Sequence, residues 1–456
     1  MLEVEVRARP ERATVAAQAL ERLAFHALCA VLALTLNEHL LWAERDARSI
    51  FHLFLAGAYL APLAGRAVAA RFGRIRAVRW ASGLHLAGLA LLAAIESRAG
   101  LAVGLVLVAA GAGGAMPATS SLVGERLGAP GPVPAARASA ALRRTVTAAS
   151  LAAKLGAPLL LVVAGPRAAF AAAALALAAG VLLSREDGVV PDATRPREPH
   201  GFLRIVATAL SRLGTGKPGQ DWLDVARGVH PPEAVDGARA VLRLLPVFAA
   251  LAVFWALFDQ RASAWVFQAR LLDRAVGPVT LSPAQVQALS PALALLIAPL
   301  LAGAVLPALE RRGVVVAPLR KVGAGLFATV ASFVAAAVLQ AVVDGGRVPH
   351  VAWQLPQYVL LAVGEVLVSV TGLELAYARA PRAMRGTVMS TGFLTVSAGN
   401  LLVVLVGRLL RLEGAAWYVA FGVLGLGAAF AYRAVTGAWR APGADPDAAG
   451  LQGDKG

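Results

Sequence analysis

Glu21 and Arg22 stand side by side inside "QALERLAFHALCAVLALTL", residues 18 to 36, a stretch that is otherwise apolar. An acid and a base kept in such surroundings fall, with Gln18, Phe25 and Cys29, on one helical stripe that reads as the lining of a cavity, snorkelling of the pair to the cytoplasmic end being the weaker alternative. Three further groups carry the same message. Trp255 and Asp259 lie one turn apart on a second apolar run, with Arg261 just beyond; a rim ion pair is the alternative reading. Glu365 sits near the middle of another run, with Ser369 one turn on and no basic residue nearby to neutralise it. Arg143, Thr147, Ser150 and Lys154 are spaced by four, three and four, which places them on one helical stripe with a cation at each end. Such a stripe could hold a carboxylate. Snorkelling to the end of the helix competes with that reading evenly for Arg143 and less well for Lys154.

The elements that must position these groups are transmembrane helices. Of 456 residues, 58% are hydrophobic and 15% charged, against about 25% charged in an ordinary soluble domain. Apolar segments of spanning length fall near 15–36, 49–70, 77–96, 100–120, 140–163 and 166–183, then near 241–262, 286–308, 320–341, 352–376, 386–408 and 415–436. The expectation is an all-α membrane protein of twelve helices, here numbered 1 to 12, in two groups of six. Residues 1–183 would form the first bundle, 184–240 a cytoplasmic linker, 241–440 the second bundle and 441–456 a flexible tail. The N-terminus lacks the pattern of a cleaved signal, so helix 1 is expected to be retained. Inside the linker, "GFLRIVATALSRLG" reads either as an amphipathic helix on the membrane surface or as a solvated loop.

A net charge of +16 would suggest nucleic acid in a soluble chain, but here the basic residues cluster in alternate connections and orient the chain instead. Arg66, Arg71, Arg74, Arg76 and Arg79 follow helix 2, eight basic residues lie from Arg185 to Arg239, and Arg311, Arg312, Arg320 and Lys321 follow helix 8. Both termini and the linker should therefore be cytoplasmic. No enzyme chemistry is written in the chain. "GTGKPG" has Ser211 and Pro218 where a phosphate-binding loop needs Gly and Ser or Thr. The seven histidines are scattered and Cys29 is alone, so neither a metal, another cofactor nor an internal disulfide is expected.

With these residues placed, the chain resembles the proton-dependent oligopeptide transporter family, within the major facilitator superfamily. The resemblance is carried by "FWALFDQRASAWVFQARLLDR" (254–274), "LSPAQVQALSPALALLIAPLLAGAVLPALERRG" (281–313) and "WQLPQYVLLAVGEVLVSVTGLELAYARAP" (353–381). More loosely it extends to "SIFHLFLAGAYLAPLAG" (49–65) and "GAGGAMPATSSLVGE" (111–125), while "DWLDVARG" (221–228) resembles the animal-type, twelve-helix branch. It implies two bundles rocking about a midplane site, with inward proton flow driving the import of di- and tripeptides. By that resemblance Glu21 and Arg22 belong to a proton-coupling motif, His52 and Asp259 to a gate, and Tyr59, Trp255, Ser290 and Glu365 to the substrate pocket; Ser369 joins Glu365 by its spacing, and the gate partner of Asp259 is Arg261, His52 or nothing.

The departures matter as much. The coupling motif begins with Gln18 instead of Glu, and its paired tyrosines are Phe25 and His26. Cys29 replaces the helix 1 arginine expected to hold a peptide carboxylate, and Met116 replaces a helix 4 lysine. Arg143 replaces a tyrosine, Thr147 an asparagine, Phe393 a helix 11 tryptophan and Ala70 an aspartate of the loop after helix 2. Losing an acid at 18 together with a base at 116 strands no buried ion, and Arg143 or Lys154 could return the positive charge from helix 5. The expected partners are a small peptide-like solute, protons and lipid, with no nucleic acid. Two other readings stand beside this one: a transporter of another carboxylate-bearing solute, and a non-transporting membrane sensor or assembly component.

Overall fold

Backbone polar groups cannot be left unpaired in lipid, so a chain this apolar must satisfy them within helices. The computed structural model describes residues 2–95, 97–127, 132–185, 201–215, 221–314, 316–370 and 384–438, and within them side chains other than those of 2–12, 117–141, 185, 369, 370, 385, 386, 389 and 438. Among these residues, eleven helices are long and apolar enough to cross a membrane, and one of them runs over Leu142–Ser184. That double-length run holds two of the expected segments. Helix 5 ends and helix 6 begins at Gly165, whose φ of 79° and ψ of 178° break the helix. Glycine tolerates that backbone, and the following Pro166 suits the first turn of a new helix.

Helices 1 to 4 are Leu2–Leu34, Glu44–Phe72, Arg74–Ala94 and Arg98–Leu127. Helices 9, 11 and 12 are Pro318–Asp344, Arg385–Leu410 and Gly414–Ala438. The others are irregular. Helix 7 consists of Leu245–Phe258, a tighter turn over Asp259–Ala262, and Ala264–Arg270. Helix 8 passes from Leu289–Leu300 through a wide π turn, Leu301–Val305, into Leu306–Arg311. Helix 10, Leu355–Glu365, goes directly into the π turn Val366–Val370, and the end expected for it at 376 lies outside the described residues.

With lipid tails as apolar as leucine, helix contact rests on close packing of small residues. A Cβ added to Gly113 of helix 4 would lie 1.9 Å from the Ala58 carbonyl oxygen of helix 2, and one added to Gly65 would lie 2.1 Å from the Gly114 oxygen. On the other face of helix 4, a Cβ at Gly111 would reach within 2.3 Å of the His85 backbone nitrogen of helix 3. Helix 4 is thus wedged between its neighbours by glycine on two sides.

Two large cores result. One joins helices 1 to 6 and takes in Ala262, Val266, Phe267 and Ala284 from the second half. The other joins helices 7 to 12 and includes residues before helix 7. There the amphipathic stretch folds as Phe202–Ser211, followed by Asp224–Gly228 and Pro232–Arg243. Its apolar face, Ile205 and Ala209, is buried with Leu223, Ala226, Val235 and Ala238, while Leu203 and Leu210 remain exposed. Across the surface of this unit, Arg227 and Arg239 bridge Asp224 and Asp236 at 2.6–2.7 Å. The Asp224 carboxyl is held below the ordinary carboxylate range, chiefly by the Arg239 hydrogen bond. The tail 441–456 lies outside the described residues.

Candidate functional site between the two halves

The broken helices aim polar groups inward. At the irregular turn of helix 7, Asp259, Gln260 and Ser263 are buried, where a regular membrane helix would present apolar side chains. Asp259 Oδ1 lies 3.3 Å from Arg261 Nη1, and its Oδ2 accepts from Asn400 Nδ2 of helix 11 at 2.8 Å. Asn400 Oδ1 is 2.7 Å from His52 Nδ1 on helix 2, whose Nε2 is 2.8 Å from Ser263 Oγ. His52 is thereby joined to Asp259 through Asn400. Both candidate gate partners of Asp259 are present, one directly and one through an intermediary.

Around this network lie the other charged candidates. Lys154 is 4% exposed and is within electrostatic reach of Arg261, Glu365, Cys29 and Asp259. Glu365, half-buried at the last turn before the π segment of helix 10, likewise feels Arg261 and Lys154. His26 feels Lys154, Arg22 and Arg261, and Tyr59 feels Asp259 and Arg22. Cations and carboxylates from helices 1, 5, 7 and 10 therefore converge where the halves meet. Cys29 is a buried free thiol in their midst.

Glu21 and Arg22 form a two-point ion pair, with Arg22 Nη2 donating to Glu21 Oε1 at 2.6 Å and Nε donating to Oε2. The Arg22 guanidinium also lies 5.5 Å from the ring centre of the buried Phe25. His85 Nδ1 of helix 3 is 3.8 Å from the same Glu21 Oε1.

The remaining candidates are placed less uniformly. Trp255 packs edge-on against Phe254 and Phe258, Ser290 is buried, and Phe393 is half-buried. Ser369 lies in the π turn, its side chain outside the described residues. Arg143 is exposed, and the half-buried Thr147 turns its hydroxyl back to the Arg143 carbonyl oxygen at 2.9 Å. Eleven residues separate Arg143 from Lys154, about 16 Å along a helix, so only Lys154 belongs to the charged cluster. Helical spacing gave the face correctly but not the depth.

Other polar contacts close one end of the interface between halves. Gln287 Nε2 donates to the Ala30 carbonyl and Ser397 Oγ to the Ala56 carbonyl, both at 2.9 Å. Farther out, Arg270 bonds Asn37 and approaches Glu44 at 3.4 Å, Arg408 pairs with Asp46 at 3.0 Å, and Arg48 lies 4.2 Å from the Trp417 ring centre. Asn400, Ser263, Gln287 and His85 escaped the sequence reading because it weighed charge and neglected neutral polar residues within apolar runs.

Helices of this number, broken at the polar centre and packed in two halves, define the major facilitator fold of a multi-pass membrane protein. A model of the POT family matches residues 221–414. Two solved structures resemble nearly the whole chain: an auto-inhibited POT family peptide transporter, 31% identical over 95% of this chain and 97% of that one with a TM-score of 0.86, and the POT family transporter PepTSo, 32% identical over 94% and 98% with a TM-score of 0.87. Peptide transporter 3 of Caenorhabditis elegans is 30% identical over 70% of this chain and 49% of its own length. The chain belongs to the POT family, and spans about half the length of the curated relatives it matches.

Proposed function

We propose that the protein is a proton-coupled symporter that imports di- and tripeptides, or small zwitterions like them, across the cell membrane by alternating access, with both termini and the linker cytoplasmic. The observation that supports this reading best is the meeting of Lys154 with Glu365, Asp259 and Arg261 at the junction of the halves. A peptide carries an ammonium and a carboxylate at its two ends. Lys154 is the cation available for the carboxylate where Cys29 and Met116 have replaced the usual ones, and Glu365 is the acid for the ammonium.

In this reading, the contacts from His52–Asn400–Asp259 out to Arg408–Asp46 seal the outer side, while a hydrogen bond from Arg66 to Ser390 at 3.1 Å joins helices 2 and 11 toward the inner side. A proton on Glu21 loosens its hold on Arg22; an ionised Glu21 restores it. One proton crossing about 100 mV supplies roughly 2.3 kcal/mol, which corresponds to about fortyfold accumulation of solute. The test is uptake of labelled dialanine by proteoliposomes with and without an inward acid gradient. Gradient-driven uptake that disappears in Glu21→Gln supports the reading, and absence of uptake by the natural chain rejects it. The same buried Cys29 favours one second reading, a carboxylate-bearing solute that is not a peptide, which would appear as driven uptake of that solute alone.

A further inference from the structure

Glu21 has a second neighbour that the proton-coupling reading does not use. His85, in the middle of helix 3, is 1% exposed, with Nδ1 3.8 Å from Glu21 Oε1. Among the described residues its buried Nε2 has no hydrogen-bond partner. A buried imidazole with one nitrogen facing a carboxylate and the other unpaired is a costly arrangement for packing alone, and apolar residues fill comparable positions on helix 3 at Leu89 and Leu92. The ring is also held in place. Helix 4 approaches so closely at Gly111 that any side chain there would strike the His85 backbone, so helices 3 and 4 are tightly packed at this level.

We propose that His85 is the proton-exchange partner of Glu21, forming with it a two-residue carrier for the coupled proton. The inference rests on the proposed coupling role of Glu21. The step is a transfer within the pair. In imidazolium and carboxylate, the Nδ1–H bond of His85 breaks and an O–H bond forms at Glu21 Oε1, the nitrogen keeping the electron pair. Neutral imidazole and carboxylic acid result, Arg22 keeps its charge, and the net charge of the three groups is unchanged. A closure of about 1 Å brings the two atoms to hydrogen-bonding distance. Arg22 is then released without a proton having to reach Glu21 from bulk water.

The surroundings suit this role. Helix 1 contributes Glu21 and Arg22, the charged groups that act on His85. Helix 4 presents no ionisable side chain from Ala99 to Met116. Helix 5 carries Lys154 in the central cluster and Arg143 and Arg144 exposed, and helix 2 carries Arg66 and Arg71 toward its far end, with His52 engaged by Asn400 and Ser263.

The test uses the full chain with ¹⁵N-labelled histidine in lipid nanodiscs, following imidazole nitrogens by NMR from about pH 5 to about pH 8, the window in which histidine can switch. The expected result is a titrating resonance that is missing from His85→Asn and whose midpoint moves in Glu21→Gln. A His85 resonance that is silent over the window, or that titrates identically in Glu21→Gln, overturns the proposal. His85→Gln serves for assignment if His85→Asn does not fold, and the Glu21→Gln perturbation serves if neither does. In proteoliposomes, His85→Gln should lose gradient-driven dialanine uptake and its pH profile while retaining exchange of dialanine at equal pH. Undiminished driven uptake would also overturn the proposal. Failure of the natural chain to take up dialanine would instead reject the peptide reading, and the NMR titration would still decide for or against His85.

Discussion

Asn400 stands between His52 and Asp259, 2.7 Å from the imidazole and 2.8 Å from the carboxylate. Since His52 belongs to the first half and the other two residues to the second, this amide is one of the side chains, with Ser263 and Ser397, that hold the halves together at this end. Its carbonyl and amino ends face different partners, which an acceptor-only carboxylate in its place could not satisfy together.

Asn400→Leu should therefore remove three buried hydrogen bonds, to His52, to Asp259 and to the Val396 carbonyl oxygen, and leave His52 and Asp259 facing an apolar group. Breaking a buried bond of this kind costs about 1–3 kcal/mol, most of it in the closed-end conformation. The expected outcome is a population shift toward opening at that end. Spin labels on Asp46 and Arg408, now 3.0 Å apart at their charged ends, would report it as a longer distance in double electron–electron resonance. An unchanged distance distribution would show that Asn400 does not hold the halves together at this end.

Lys154 and Arg143 should part company. Lys154→Ala is expected to abolish substrate binding, whereas Arg143→Ala, exposed and about three turns away, should bind nearly as the natural chain does. Isothermal titration with the transported solute distinguishes them, and equal losses in both variants would return Arg143 to the site.

Glycine packing gives a stability prediction with its own control. Gly113→Ala puts a methyl 1.9 Å from the Ala58 oxygen, whereas a Cβ at Gly83 meets nothing within 4 Å. Overpacking of this sort costs about 1–3 kcal/mol, and Gly83→Ala should instead stabilise helix 3 by up to about 1 kcal/mol. Thermal unfolding in detergent should fall for the first and hold or rise for the second.

The soluble unit before helix 7 should depend on pH in one direction. The Asp224 carboxyl is depressed below its ordinary value, first by the Arg239 hydrogen bond. The stabilisation from this shift is fully present above the unfolded-state value and is lost as pH falls through the folded-state value. Amide protection over 224–243, corrected for intrinsic exchange, should hold at neutral pH and fall under strong acid, with the fall starting at higher pH in Arg239→Gln. Equal protection of both chains under acid would remove Asp224 from the account.

Most of the fold was legible because a bilayer imposes one rule on every spanning segment, and apolar length alone reveals where it applies. Even the break between helices 5 and 6 was visible as a Gly-Pro pair between two apolar runs. The charged candidates Glu21, Arg22, Lys154, Asp259 and Glu365 were legible for the complementary reason, being the expensive residues in those runs. Depth was not legible: Arg143 and Lys154 share a stripe, and only three dimensions separate exposed from buried. Nor were the neutral connectors. Asn400 joins His52 to Asp259 across 348 and 141 residues of sequence, and His85 meets Glu21 across a helix pair whose register no periodicity encodes.

The unit before helix 7 shares a core with helices 7 to 12, Ile205 and Val235 belonging to the same cluster as Phe333 and Phe421. Mechanically it is cargo of the second half, and does not hang midway between two swinging bodies. Under the proposed rocking, a protein that gripped the Asp224–Arg239 surface would have its hand on one lever of the machine and not on its hinge.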